Sequence, residues 1–399
     1  MNLPAISFAY LRARPLNAAL NILLLALGVA TVVLLLLVSR QVEQRMHGDA
    51  RGIDLVIGAK GSPMQLVLAA VFHIDVPGGN IPLDEAKKIA AHRAVKQAIP
   101  MALGDSYKGH RIVGTTHDYP AHYGARIAAG GLWAKPMQAV LGSETARMTG
   151  LGVGAKFAGA HGMGGDAGEG EAHEETPYEV VGVLAPTGTV LDRLVLTGVE
   201  SVWAVHGTEK EKDADQEITA LLIRYATPLA AAMLPRQVNA NPYLQAGSPA
   251  YESARLFRMI GVGVEVLRAF GVVLMLAAGL SVFIALTNAL EERRYDLAVM
   301  RMLGAGRGKL FGLLVLEGLM LAVIGCFVGV PLGVAVLQLM GNLKSVGPGG
   351  RIEQVFQLEI DPFLIVAACT IAITTGAIAS YFPARRAAQV DPMQVIRGS

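Results

Sequence analysis

Residues 303–310 (LGAGRGKL) hold the glycines and the lysine from which a phosphate-binding loop is built. Such a loop needs the spacing G-x-x-x-x-G-K-[ST]: backbone amides cradle the phosphates and the hydroxyl holds magnesium. Here Leu303 stands where the first glycine is required, and Leu310 where the hydroxyl is required. The segment fails the pattern, and no other stretch offers a nucleotide site. If ATP drives this protein, ATP and magnesium are bound by a partner chain, and this chain is not the enzyme.

A second candidate is the glycine-rich acidic stretch 159–175. His161 and His173 stand there among Asp166, Glu169, Glu171, Glu174 and Glu175. Imidazole with carboxylates suits zinc or copper. The spacing matches no established ligand set, and glycine makes such a loop costly to order, so a solvated loop is the expectation. The third is Glu317, an ionisable residue inside a long apolar run. A charge there is a functional hypothesis by default. It stands one or two turns beyond Lys309, so pairing with a basic residue such as Lys309 is expected over a proton relay. The remaining histidines are scattered, and no Ser-His-Asp, Cys-His or paired-carboxylate set can be assembled. Cys326 and Cys369 lie inside apolar runs, without metal-ligand spacing or a disulfide framework.

The elements that carry these residues follow from composition. Of 399 residues, 53% are hydrophobic and only 17% charged, below the quarter usual in soluble chains, so part of the chain is made for lipid. A net charge of +2, without basic tracts, excludes nucleic acid as a partner. Four runs are long enough to cross ~30 Å of hydrocarbon as helices: 15–39, 269–290, 310–341 and 362–384. The first is too long for a secretory h-region and lacks a small-residue cleavage site, so it is expected as an uncleaved anchor. Arg12 and Arg14, then Arg293, Arg294, Arg301, Arg307 and Lys309, then Arg385, Arg386 and Arg397 fall on one side of four spans. That side is the cytoplasm by the positive-inside rule.

The fold class expected is an α-helical membrane protein with four transmembrane helices, plus a mixed α/β extracytoplasmic domain inserted between helices 1 and 2. The chain divides into a tail and first span (1–45), the outer domain (46–250), a stalk helix and second span (251–290), a cytoplasmic connection (291–309), the third span (310–341), a short outer loop (342–361), the fourth span (362–384) and a cytoplasmic tail (385–399). Within the outer domain, strands are expected at 53–57, 111–115, 178–184, 194–197, 201–205 and 218–225, and helices at 83–99 and 228–238. The apolar stretch 64–74 fits either a membrane-surface segment or a core helix.

The connection 291–305 (EERRYDLAVMRMLGA) is charged at its start, carries Leu297, Val299, Met300, Met302 and Leu303, and ends at Gly304. A short helix with an apolar stripe either docks in the groove of a soluble partner or lies on lipid headgroups, and these residues leave both readings open.

LEERRYDLAVMRMLGA resembles the cytoplasmic connection of MacB/FtsX/LolC-type ABC transporter permeases, through Glu292, Arg293, Arg294, Asp296, Leu297, Arg301, Leu303, Gly304 and Ala305. Asp296 stands where that family usually has Glu, and Ala298 where Gly is common. YFPARRAAQVDPMQVIR resembles the family's closing motif, through Pro383, Ala384, Ala387, Pro392, Ile396 and Arg397. Residues 139–157 and 178–207 resemble its periplasmic core domain. The resemblance implies a permease subunit in a bacterial inner membrane, with its large domain in the periplasm. It implies an ABC ATPase partner in two copies, a second permease chain forming a homodimer, and a periplasmic adaptor or substrate-handling protein. ATP hydrolysis in the partner would push the segment 292–305, and the stalk would carry that motion outward to extract or export a lipid, lipoprotein, peptide or small hydrophobic compound. Two alternatives stand beside it: an FtsX-like signalling protein that regulates a periplasmic partner, and a metal-linked transport or sensing system built on the histidine loop.

Overall fold

The computed structural model describes residues 3–161, 176–206, 216–342 and 362–390. Helix α1 (Leu3–Ala13) precedes the long apolar helix α2 (Pro15–Asp49). Next come β1 (Leu55–Ala59), α3 (Pro63–Ala70), β2 (Ile81–Pro82), α4 (Leu83–Ala90), β3 (Val95–Tyr107), β4 (His110–Thr115), α5 (Asp118–His122), β5 (Ile127–Gly130), β6 (Gln138–Leu141), α6 (Ser143–Thr149), β7 (Lys156–Phe157) and β8 (Ala160–His161). The chain continues through β9 (Tyr178–Leu184), a 3-10 turn (Val190–Arg193), β10 (Val195–Gly198), α7 (Val199–His206), β11 (Glu217–Ile218), β12 (Ala220–Tyr225), α8 (Ala230–Ala240) and β13 (Leu244–Gly247). It closes with α9 (Pro249–Glu292), α10 (Arg294–Met302), α11 (Arg307–Asn342) and α12 (Pro362–Ala388).

Two compact units result. The α/β unit spans Val42–Met259, and the helical unit takes its described residues from 3–41, 260–342 and 362–390. In the α/β unit the main sheet runs β13-β1-β12-β3-β4-β10-β6-β9-β5, with β7 on β9 and β8 on β3. Central β12 reads ALLIRY and is buried over its first four residues, as a strand covered on both faces must be. At the other end β9 (YEVVGVL) alternates buried and more open positions. Leu66, Val67 and Ala70 of α3 sit in the core with Val56, Met101 and Leu222. The stretch 64–74 therefore supplies a core helix, begun by Ser62 at the N-cap and Pro63 in the first turn.

Two sequence expectations are corrected here. The helix expected over 83–99 stops at Ala90, and Val95 opens β3, paired antiparallel with both β12 and β4. Cross-strand pairing overrides the local helical periodicity. Residues 201–205 form part of helix α7, not a strand. Val199 and Val202 are one helical turn apart and both enter the core beside Ala102 and Leu221, so the period that matters is three residues, not two.

Among the described residues, four helices are long and apolar enough to cross a membrane: Pro15–Asp49, Pro249–Glu292, Arg307–Leu339 and Ile365–Ala388. Gly325, Gly329 and Gly333 form a stripe at four-residue spacing on α11. Added Cβ atoms there would stand 2.7 Å from Leu25 Cβ, 2.6 Å from the Ala26 carbonyl oxygen and 2.9 Å from the Ala30 carbonyl oxygen. Glycine lets the α2 and α11 backbones meet, the packing that lipid-embedded helices use where no hydrophobic drive between them exists.

Candidate functional site

The site is built where α9 ends. Arg293 is the residue between α9 and α10 and caps the latter, with φ −97° and ψ 11° outside helical geometry. Helix α10 then runs for nine residues and stops in a Schellman motif. The Ala305 amide donates to the Met300 carbonyl and the Gly304 amide to the Arg301 carbonyl, both within 3.1 Å, with Gly304 at φ +92°. Glycine suits this left-handed position because it has no Cβ to clash.

Helix α10 has two unlike apolar faces. Leu297 and Ala298 point inward and are buried. Leu297 packs with Leu290, Leu310, Leu313, Ala384 and Ala387. The connection and the C-terminal motif, about 90 residues apart in sequence, thus share one cluster at the helical end. On the opposite side Tyr295, Met302 and Leu303 are 58%, 56% and 83% exposed. Tyr295 and Met302 are seven residues apart and stand on one helical face.

The charged motif residues divide in the same way. Glu292 forms an ion pair with Arg14, the residue that joins α1 to α2. Arg293 Nη1 lies 3.3 Å from Glu317 Oε2, and both side chains are largely buried, at 14% and 6% exposure. The Arg293 guanidinium also sits 3.9 Å from the centre of the Tyr10 ring. Arg301 donates from Nη1 to the Val390 carbonyl, tying α10 to the chain after α12. Arg294 and Asp296 face solvent, Asp296 in the first turn of α10 where a carboxylate favours the helix N-terminus. Pro383 and Ala384 are buried in α12. Pro392 and Arg397 lie outside the described residues.

Glu317 therefore pairs with Arg293 rather than Lys309, whose side chain is exposed. The expected pairing with a basic residue is present, and the residue is Arg293 at the corner before α10 instead of Lys309, the example one or two turns away. Sequence reasoning also missed α1 and Tyr10. Leu3, Ile6 and Tyr10 recur at helical spacing and join the same cluster, which is the signal that could have found them.

For the metal candidate, His161 ends β8, its backbone opposite Asp105 of β3, while His173 lies outside the described residues. Among the described residues no group of three or more His, Cys, Asp or Glu is placed to hold a metal.

Comparison with known proteins gives two family matches. The MacB-like periplasmic core domain matches residues 18–241, more than half of the chain, and the FtsX-like permease C-terminal region matches residues 268–392. The pyoverdine export ATP-binding/permease protein PvdT of Pseudomonas aeruginosa is 23% identical over 95% of this chain and 56% of its own length. The macrolide export ATP-binding/permease protein MacB of Rhodopirellula baltica is 24% identical over 35% of this chain and 20% of its own length. The chain thus spans little more than half the length of the PvdT relative. The periplasmic region of MacB from Actinobacillus actinomycetemcomitans aligns with 53% of this chain and 98% of that structure, at 11% identity and a TM-score of 0.34. Taken with the apolar helices and the mixed α/β unit, the two family matches show that the chain belongs to the family of ABC transporter permeases that join a MacB-like periplasmic core domain to an FtsX-like permease C-terminal region.

Proposed function

We propose that this chain is the mechanically driven permease of an ABC system. Its α10 receives the motion of a separate ATPase, and its α/β unit delivers that motion in the periplasm. The observation that carries the reading is the second apolar face of α10. Leu297 and Ala298 already satisfy the helical unit, so Tyr295, Met302 and Leu303 are left for a partner surface. Amphipathic helices bind grooves in this way. Helices α2 and α9 contribute residues to both units, which supports transmission along them.

The remaining assignments follow from this reading and the basic segments. The four apolar helices span the bacterial inner membrane with 291–309 in the cytoplasm and the α/β unit, inserted between spans 1 and 2, in the periplasm. Two permease chains and two ATPase chains form the complex, with ATP and magnesium held by the ATPase. The relatives are named for pyoverdine and macrolide export, which supports export of a small compound among the cargo classes.

The test is co-purification of the full chain, in nanodiscs, with a separate ABC ATPase subunit co-expressed from the same organism. Tyr295→Asp and Leu303→Asp should each lower ATPase recovery at least ~10-fold while leaving the chain monodisperse, since a charge on an exposed face costs a fold little. Full recovery with both variants sinks the reading, as does thiol labelling that places Met302→Cys on the same side of the membrane as residues 60–160.

A further inference from the structure

The geometry points to α1 as a working part of the coupling apparatus: Tyr10 on α1 and Glu317 on α11 clamp Arg293 from two sides, and this clamp fixes the direction in which α10 leaves α9. The inference rests on the reading of α10 as the ATPase-facing element, and it concerns residues that face away from any ATPase. Tyr10 lies outside both matched family regions.

Three observations carry it. First, Arg293 is the non-helical residue at the α9–α10 corner, so its backbone sets the angle between the two helices. Second, its guanidinium meets the Tyr10 ring at 3.9 Å and the Glu317 carboxylate at 3.3 Å, and Leu286, Leu290, Leu297, Leu313 and Leu314 wall the same small cavity. In that apolar setting both attractions act with little screening by water. Third, α1 is itself anchored on α11: the buried Ser7 hydroxyl donates to the Leu313 carbonyl at 3.2 Å, and Leu3 and Ile6 join the cluster that holds Leu297. Neighbouring Glu292 is held by Arg14. Two successive residues at the corner are thus tied to α1, to α11 and to the residue between α1 and α2. A push on α10 then moves α1 and α11 with it rather than folding the corner. Tyr10 and Glu317 are positioning residues in this scheme, since neither meets the partner.

The test is a spectroscopic distance, which a merely structural role would not move selectively. In the full chain in nanodiscs, with Cys326 and Cys369 replaced by Ala, spin labels at Met302→Cys and Arg386→Cys report the position of α10 against α12. A second pair, Lys309→Cys with Arg386→Cys, reports α11 against α12. The unaltered clamp and Tyr10→Phe, which keeps the ring, should give one narrow α10 distance. Tyr10→Leu and Glu317→Gln should broaden or shift it by several ångströms while the second pair stays unchanged. The inference is overturned if both variants keep the narrow α10 distance, or if the control pair broadens equally. Loss of ATPase recovery with Leu303→Asp is read separately, so failure of the docking reading and failure of the clamp are distinguishable.

Discussion

Arg193 Nη2 lies 2.9 Å from the Asp49 carboxylate, joining the 3-10 turn before β10 to the last residue of α2. Both side chains are mostly buried, and Tyr123 donates its hydroxyl to the Asp49 backbone carbonyl at 2.5 Å. The end of α2 is therefore fixed onto the α/β unit by charge and hydrogen bonding, 144 residues apart in sequence.

Removing one member of this pair leaves a buried charge without its partner. Arg193→Ala should destabilise the chain by ~3–5 kcal/mol, the usual cost of breaking a buried pair from one side. Asp49→Asn, which keeps an acceptor oxygen, should cost less. Thermal unfolding of the detergent-solubilised chain, followed by intrinsic fluorescence from Trp133 and Trp203, ranks the two. Equal melting of Arg193→Ala and the parent would show that the contact contributes nothing.

Gly304 makes a different kind of prediction. A Cβ built there meets no atom within 4 Å, so space is not the constraint. The φ of +92° is. Gly304→Ala should cost ~1–2 kcal/mol of local helix-end stability through backbone strain alone. The fold should survive, with α10 frayed at its last turn and ATPase recovery reduced severalfold. Amide hydrogen exchange across residues 299–305 checks it, and unchanged protection would refute the Schellman assignment.

His73 gives a pH dependence whose sign can be worked out. It is buried, adopts φ +55°, and places Nε2 3.1 Å from the Tyr119 hydroxyl. Burial, and then the nearby Arg111 and Arg193 guanidiniums, push its pKa well below the ordinary imidazole value. The folded state therefore resists a proton that the unfolded chain accepts below pH ~6.5. Stability is at its full value above that pH and falls as pH drops through it, by at most ~1.4 kcal/mol per pH unit from this one group. Replacement by Asn, which tolerates positive φ, should flatten the melting temperature between pH 7 and pH 5 relative to the parent. An unchanged slope would mean that another group sets it.

The outline of the fold was legible because lipid imposes a crude rule: long apolar runs must be helices. The starts of the apolar runs within α9, α11 and α12 follow from charge and proline at Arg268, Lys309 and Pro362, while the helices α9 and α11 themselves begin earlier, at Pro249 and Arg307. Motif spacing located the connection and its end at Gly304. What spacing could not convey was direction. Arg293 and Leu303 belong to the same motif, yet one is turned inward onto Glu317 and the other outward. The partner of Glu317 was hidden because it comes from a chain reversal, not from the same helix. Residues 95–99 and 201–205 were misassigned for a related reason. Their local periodicity is ambiguous, and the decision between helix and strand is made by β12, β4 and the core around Ala102.

The glycine stripe on α11 permits a paired comparison on one helix. Gly329→Ala puts a Cβ 2.6 Å from the Ala26 carbonyl oxygen and 3.0 Å from the Ala26 Cα, both backbone atoms that cannot rotate away. The helices must separate by several tenths of an ångström, and the overpacking penalty should be ~1–3 kcal/mol despite the better helix propensity of alanine. Gly308→Ala, in the first turn of the same helix, meets nothing within 4 Å and should be neutral or stabilising by up to ~1 kcal/mol. Melting temperatures of the two variants should therefore move in opposite directions. If both rise, α2 and α11 are not in backbone contact at Gly329, and the packing of the helical unit must be redrawn.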